Sequence, residues 1–181
     1  MKFLQIGSAN GDDFCYHSMK DHDIELGILV EPLTIHHEQL LLQYKDMKNI
    51  HIESCAISPF KEVTKLKLHQ PKDNNLLNHT SFNKEQLYHH GVPEDEIEEI
   101  LYPCMTINQM LDKYNITELD YLFVDTEGLD SEILKSIDFK KYKIHNIIFE
   151  HIHVGGPKEW KVNPLMLELQ RYGYVFPLAT N

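Results

Sequence analysis

The stretch Tyr121-Leu-Phe-Val-Asp-Thr-Glu-Gly-Leu-Asp-Ser-Glu-Ile-Leu134 decides the fold class of this chain. Its first four residues are apolar and predict a buried strand, which ends at Asp125. Glu127, Gly128 and a helix-like segment follow. Open α/β sheets hold their ligands at the carboxyl ends of the strands. The two carboxylates are therefore predicted to lie at a ligand site.

The rest of the chain alternates between strand-like and helix-like segments. Strands are predicted at residues 3–6, 27–30, 50–57, 63–68, 119–125, 144–150 and 174–178. Helices are predicted at residues 12–20, 34–47, 94–101, 106–114, 130–138 and 163–172. This alternation predicts an α/β fold with a mostly parallel central sheet and helices on both faces. Residues 69–93 have no clear period and are predicted to form a long loop, which in a compact domain is usually functional.

The loops that follow the predicted strands carry glycines and polar residues. Right-handed crossovers bring such loops to one edge of a parallel sheet. The loops are Gly7–Gly11, the segment from Glu31, Ser54–Ala56, Asp125–Gly128 and Glu150–His153. Their convergence predicts one site.

The first of these loops has the spacing of a cofactor-binding turn. Gly7 and Gly11 bracket Ser8, Ala9 and Asn10. Glycines let the backbone approach a ligand closely, and the helix that follows offers free N–H groups. Glu31 ends the next strand, where a carboxylate can accept both ribose hydroxyls of a nucleotide. The G-x-G-x-x-G pattern of NAD enzymes is absent from this turn.

Three residues are candidates for catalysis. Asp125 and Glu127 could orient an acceptor or take its proton, and His151 has a pKa suited to proton removal near pH 7. Two alternatives remain open: Glu127 caps the following helix, and His151 only supports the site. Asp125 with Glu150, His151 and His153 could also hold a metal, but no strict ligand spacing is present and no metal site is predicted.

Composition limits the classes of partner. The chain has 181 residues, predicted to form a single domain over 1–181, and a formal net charge of −11, which argues against nucleic acid. It has no apolar run of membrane-spanning length and no signal-peptide pattern at its start. The three cysteines, Cys15, Cys55 and Cys104, show no metal or disulfide spacing, which favours a reduced, cytoplasmic protein.

Several motifs together resemble a known family. They are Gln5-Ile-Gly-Ser-Ala-Asn-Gly11, Ile28-Leu-Val-Glu-Pro32, Ala56-Ile-Ser58, Ser81-Phe-Asn-Lys-Glu85, Pro103-Cys-Met-Thr-Ile-Asn-Gln-Met-Leu111, Val124-Asp-Thr-Glu-Gly128 and Phe149-Glu-His151. In this order they resemble an FkbM-type methyltransferase domain, which has the Rossmann-like class I fold of S-adenosylmethionine (SAM) enzymes. The resemblance covers essentially the whole chain.

The resemblance implies SAM-dependent O-methylation of a hydroxyl on a sugar, a glycan or a small metabolite. Gly7–Gly11 would wrap the methionine end of SAM, and Glu31 with Pro32 would hold the ribose. Cys55 and Ala56 would border the adenine, and Asp125 with Glu127 would lie by the methyl group.

The chain departs from the family pattern at Gln5, Phe123 and Asn108. The fold would lack its last edge strand, and the exposed edge could favour a homodimer. Two other functions remain as alternatives: a non-catalytic SAM-binding module or partner subunit, and a nucleotide-dependent oxidoreductase.

Overall fold

The computed structural model describes residues 1–149 and 163–176 of the chain. The strands are β1 Lys2–Ile6, β2 Leu26–Val30, β3 Ile50–Glu53, β4 Ala56–Ile57, β5 Lys65–Pro71, β6 Ile97–Met105, β7 Glu118–Val124 and β8 Lys143–Phe149. The α-helices are α1 Phe14–Met19, α2 His37–Gln43, α3 Lys84–His89, α4 Ile107–Lys113, α5 Asp130–Lys135 and α6 Pro164–Arg171. Short 3₁₀ helices span Thr34–His36, Asn74–His79 and Glu94–Glu96.

The main sheet has five strands in the order β3-β2-β1-β7-β8, and every pairing is parallel. β1 lies in the middle, where Phe3 pairs with Gly27 of β2 and with Tyr121 of β7. The strand order reverses direction at β1, and such a switch point opens a crevice at the carboxyl edge. The predicted α/β class with a mostly parallel sheet is confirmed.

Helices cover both faces of this sheet. On one face, α1 and α2 bring Cys15, Met19 and Leu40 against Phe3 of β1. On the other face, α4, α5 and α6 pack on the alternate side chains of the same strands, which include Leu4 and Ile6. Because all of these side chains are buried, the apolar alternation in the sequence corresponds to two separate cores.

A second, smaller sheet lies next to the carboxyl edge of the first. Its order is β4-β6-β5, with β4 parallel and β5 antiparallel to β6. The predicted strand over residues 50–57 is therefore wrong as one element. Residues 50–53 pair with β2, the chain turns at Ser54, and residues 56–57 pair with β6.

The predicted helix over residues 94–101 is also wrong. Only Glu94–Glu96 is helical, as one 3₁₀ turn, and residues from Ile97 onward form β6. The acidic side chains that suggested a helix face find cross-strand partners instead: Glu99 accepts from Lys67 at 3.1 Å and Glu98 from Gln70 at 2.9 Å. Pairing with β5 thus overrides the local helix propensity.

The predicted strand over residues 174–178 is not found in its described part, residues 174–176. The Tyr174 amide donates to the carbonyl of Leu169 and so closes the last turn of α6. Its hydroxyl donates to the carbonyl of Ile144 at 2.5 Å. The tyrosine therefore contacts β8 through its side chain rather than through a strand ladder.

Within the described residues, no helix has both the length and the apolar character needed to cross a membrane.

Candidate cofactor and active site

A cleft opens at the carboxyl edge of the main sheet, where β1 and β7 lie side by side. It holds about 710 Å³ of empty space, its open mouth included. Many of the sequence-predicted site residues line it: Gly7, Ala9, Glu31, Pro32, Cys55, Ala56, Asp125 and Glu127. The predicted convergence of strand-end loops is confirmed for the four loops that the structure describes.

Gly7 allows the ends of β1 and β7 to meet. Its φ is +80°, and a Cβ atom placed there would lie 1.7 Å from the carbonyl oxygen of Asp125. The Asp125 amide donates to the carbonyl of Ile6 at 2.9 Å, which continues the ladder to the last residue before the turn. No other residue type fits this approach, so Gly7 fixes where Asp125 enters the cleft.

Glu31 holds the turn after β1 together. Its side chain is only 4% exposed. One carboxylate oxygen accepts from the Ala9 amide at 2.8 Å, and the other accepts from the Leu33 amide at 2.8 Å. Burial raises the pKa of Glu31 above its ordinary value, and these two backbone hydrogen bonds oppose that rise.

Each carboxylate oxygen of Glu31 has a second acceptor direction, because an ionised carboxylate offers about four acceptor sites. Glu31 lies in the wall of the cleft and is followed by Pro32, which lines the cleft too. The carboxylate is thus fixed in place and can still accept from two hydroxyls of a ligand.

The remaining residues of the Gly7–Gly11 turn do not line the cleft. Ser8 is fully buried, with its hydroxyl 3.5 Å from the carbonyl of Val30. Asn10 is exposed and accepts from the Asp12 amide. At Gly11 a Cβ atom would meet Leu40 at 2.8 Å, so this glycine allows close packing on α2.

An apolar wall closes the side of the cleft next to β4 and β5. Cys55 and Ala56 lie there, with Leu66 and Leu68 of β5 beside them. Burial, with a further contribution from the charge of Glu53, raises the pKa of the Cys55 thiol to about 11. Cys55 therefore remains a neutral thiol at pH 7 and suits contact with an apolar or aromatic ring.

The opposite side of the cleft is acidic. Asp125 is exposed, and Glu127 is partly buried with a φ of +52°. Asp130 shapes this turn, since its carboxylate accepts from the amide of Thr126 at 2.9 Å. The residue at the N-cap position of α5 is Leu129, and its amide donates to the Thr126 hydroxyl at 3.3 Å, so the capping role of Glu127 stays a prediction.

The segment from Lys72 to Glu96 borders the cleft, but it is not the structureless loop predicted from the sequence. It contains a 3₁₀ helix and α3. It lines the cleft with Leu77, Asn78 and Thr80. Phe82, Lys84, His89 and His90 of the same segment do not line the cleft.

A histidine of the cleft was missed by the sequence patterns, as were Asn78 and Thr80. His36 ends the first 3₁₀ helix and lines the cleft. Its Nε2 is buried and has no hydrogen-bond partner within residues 1–149 and 163–176. Burial, followed by the charge of the neighbouring His37, lowers the pKa of His36.

The third catalytic candidate, His151, lies outside the described residues, as does the whole Glu150–His153 segment. Its role stays a prediction.

The sheet order and the carboxylate at the end of β2 define an α/β domain of the kind that binds nucleotide-type cofactors. The model of the methyltransferase FkbM domain matches residues 5–176, and the chain belongs to this family. The resemblance predicted from the sequence motifs is confirmed.

A crystal structure of methyltransferase FkbM from Methylobacillus flagellatus KT resembles this protein at a TM-score of 0.49 and 16% sequence identity. The match covers 93% of this chain and 36% of that chain, so the present chain spans about a third of the other protein's length. No curated protein matches the sequence.

Proposed function

We propose that this protein transfers a methyl group from SAM to a hydroxyl of a sugar, a glycan or a small metabolite. The observation that carries the proposal is the buried Glu31 carboxylate in the wall of a cleft at the sheet's switch point, in a chain of a methyltransferase family. A ribose diol is the ligand group that such a carboxylate accepts best.

The residues of the cleft fit the parts of SAM in an ordered way. Glu31 would hold the ribose hydroxyls, and the backbone of Gly7 and Ala9 would lie along the methionine part. Cys55 and Ala56, on the apolar wall, would contact the adenine. When bound, SAM supplies a methyl group on a positively charged sulfur, which is open to attack by an oxygen nucleophile.

The protein's part in such a transfer is to orient the acceptor and to remove its proton. Aligning two reactants can account for much of a rate enhancement, and a positioned base adds to it. Asp125 is the first candidate for orienting the acceptor hydroxyl, because it directly follows β7 and lines the cleft. Glu127 and His151 are the candidate bases.

The charge of the cleft bears on the class of acceptor. The carboxylates of Glu31, Asp125 and Glu127 line it, and no Lys or Arg from the described parts of the chain does. Such a wall would repel a phosphorylated or carboxylated acceptor. Carboxylates bind a neutral polyol by accepting hydrogen bonds from its hydroxyls. This lining therefore favours a neutral polyol as the acceptor.

Calorimetry with SAM and with S-adenosylhomocysteine tests the cofactor site. Hydrogen bonds to charged groups contribute about 1.5–3 kcal/mol, so Glu31→Ala should weaken binding about tenfold or more. Glu53→Ala is the matched control, since Glu53 ends the neighbouring strand but does not line the cleft. Equal affinity in the Glu31→Ala variant and the native protein would remove Glu31 from the site.

A methyl-transfer screen over hydroxylated sugars, glycans and small metabolites tests the reaction. Asp125→Asn keeps the shape of the side chain and removes its charge, so the transfer rate should be lost while SAM affinity remains. Retained activity would assign the orienting role to another residue. SAM binding without transfer to any acceptor would favour the non-catalytic binding module.

A further inference from the structure

Three metal-ligating side chains from distant parts of the sequence meet beside the cleft. His79 ends the 3₁₀ helix Asn74–His79, His90 follows α3, and Glu127 lies in the turn after β7. One ligand atom from each, two imidazole nitrogens and a carboxylate oxygen, lies within 4.8 Å of the other two. The two imidazole rings stack with their centroids 3.9 Å apart and an interplanar angle of 20°.

The backbone holds this group together independently of the three side chains. Ser81 pairs with His69 through two backbone hydrogen bonds of 2.8 and 2.9 Å, and the Ser81 hydroxyl donates to the carbonyl of Glu127. The same hydroxyl accepts from the Asn83 amide at 2.9 Å, one residue before α3 begins. Ser81 therefore ties the segment that carries both histidines to the turn that carries the carboxylate.

The helix that leads to His90 is itself anchored. Leu87 of α3 is fully buried, and its carbonyl accepts from the Val92 amide at 3.0 Å. The His90 amide donates to the carbonyl of Gln86 at 3.1 Å. The backbone at position 90 is thus fixed, while the imidazole is exposed and can turn.

Two imidazoles and one carboxylate are the donor set of zinc-type sites, in which a fourth position is left for water or a substrate oxygen. Bond lengths of about 2.0–2.2 Å place tetrahedral ligand atoms roughly 3.4 Å apart. The imidazoles would therefore have to leave their stacked arrangement for the three ligand atoms, which lie within 4.8 Å of one another, to converge on one ion. A hard ion such as Mg²⁺ prefers oxygen ligands and fits this set poorly.

We propose that His79, His90 and Glu127 bind a divalent transition-metal ion of the zinc class at the rim of the cleft. Glu127 lines the cleft, as do Asn78 and Thr80 on either side of His79. The ion would therefore lie between the cleft and the Lys72–Glu96 segment. The sequence gives no sign of such a site, because its ligands come from three separate segments with no characteristic spacing.

The position of the site suggests what the ion does, and this step rests on the proposed function. A metal-bound oxygen loses its proton more easily, since the cation stabilises the anion. An acceptor hydroxyl at the open position would thus become a better nucleophile, and its proton would pass to a nearby carboxylate such as Asp125.

The test of binding needs no acceptor and no SAM. The full chain, first stripped with a chelator, is titrated with Zn²⁺ by calorimetry and with Co²⁺ by visible absorption. We expect one metal ion to bind tightly per chain, and we expect bound Co²⁺ to show the d–d absorption bands of tetrahedral coordination. His79→Ala, His90→Ala and Glu127→Gln should each weaken Zn²⁺ binding by at least about tenfold. Even the loss of a residue that only hydrogen-bonds to a metal ligand lowers metal affinity by about that factor.

His89→Ala is the matched control, because His89 is an exposed histidine next to His90 that does not belong to the group. It should bind Zn²⁺ as the native protein does. Equal binding by His79→Ala, His90→Ala and the native protein would overturn the site, and so would an equal loss in His89→Ala. His90 is exposed, so His90→Gln keeps the test open if His79→Ala does not fold.

The role in transfer is tested separately, by comparing the methylation rates of the stripped and Zn²⁺-loaded protein. A rate that rises on loading in the native protein but not in His90→Gln supports the role. Tight Zn²⁺ binding with an unchanged rate overturns the role and leaves the metal site in place. Tight Zn²⁺ binding without SAM binding would instead count against the proposed function.

Discussion

At the scale of single residues, Gly7 has the least freedom of the positions that shape the cleft. It combines a left-handed backbone with an approach to Asp125 that leaves no room for a side chain. Gly91 has nearly the same φ, +76°, but a Cβ atom there would meet nothing within 4 Å. The two glycines therefore separate the effect of backbone strain from that of steric overlap.

Gly7→Ala should destabilise the protein far more than Gly91→Ala. Left-handed strain costs about 1–2 kcal/mol in either variant. In Gly7→Ala the ends of β1 and β7 must also move apart, which should add roughly 2 kcal/mol or more. Urea unfolding would measure both, and equal losses would show that the contact between Gly7 and Asp125 is not tight in solution.

The positions of residues at strand ends could be predicted from the sequence because two independent patterns, an apolar run and a turn, adjoin at these positions. Glu31 and Asp125 each follow an apolar run and come before a turn. His36 carries no such signal, since a histidine in a helical segment is common on any surface. Its place in the cleft depends on residues from distant parts of the chain that line the same cleft, and such long-range packing leaves no local pattern.

At the scale of elements, the end of β3 is joined to α4 by one carboxylate. Glu53 accepts from Lys113 at 2.6 and 2.7 Å and from the Tyr114 hydroxyl at 2.5 Å. Burial alone would raise the pKa of Glu53, but these hydrogen bonds offset the burial and lower it below the ordinary value. The stabilisation by Glu53 is therefore complete above the unfolded-state pKa, and it is lost as the pH falls through the lower folded-state pKa.

Glu53→Gln should lower the free energy of unfolding by about 1 kcal/mol at pH 7. The difference from the native protein should begin to shrink as the pH falls below about 4, the ordinary range of a glutamate pKa, and should disappear below the lower folded-state pKa. Urea unfolding at a series of pH values would show this. Glu62→Gln, at an exposed position, is the control and should cause no change at either pH. A loss that persists at low pH would assign the effect to packing instead of charge.

The Lys72–Glu96 segment is the element on which ligand binding should act most strongly. It borders the cleft through Leu77, Asn78 and Thr80, so a ligand would contact it directly. We predict that S-adenosylhomocysteine slows amide exchange in this segment, because local opening requires the ligand to leave. The carboxyl-terminal half of α4, which does not line the cleft, provides the comparison. Identical exchange of the segment with and without ligand would show that the bound ligand does not contact it.

Elements with their own capping signals were the ones that the sequence predicted best. Thr106 and Gln109 form a reciprocal capping box at the start of α4, and Asp13 caps α1. Residues 94–101 have no such signal, and their acidic character suggested a helix, but residues from Ile97 onward belong to β6. Residues 97–105 form a strand because β5, the neighbouring antiparallel strand, supplies their backbone hydrogen bonds and their charge partners. Nothing in the local sequence predicts that β5 lies beside them.

At the scale of the whole molecule, charge should govern solubility. The net charge is −11 at pH 7, and protonation of the twelve histidines would cancel this excess. The isoelectric point of the sequence is about 5.5. Proteins associate most readily when their net charge is close to zero, so we predict a solubility minimum near that pH. Precipitation measured from about pH 4.5 to 8 would locate it, and a minimum at neutral pH would contradict the prediction.

The central position of β1 has a consequence for how the chain acquires its structure. Phe3 pairs with Tyr121, although the two are among the most distant residues in the sequence that share a ladder. During synthesis β1 can join β2 early, but its other edge stays open until β7 leaves the ribosome. Contacts so far apart in sequence slow folding, and an open apolar edge invites association with other chains. The strand that defines the cleft is thus also the one that most needs protection on a nascent chain.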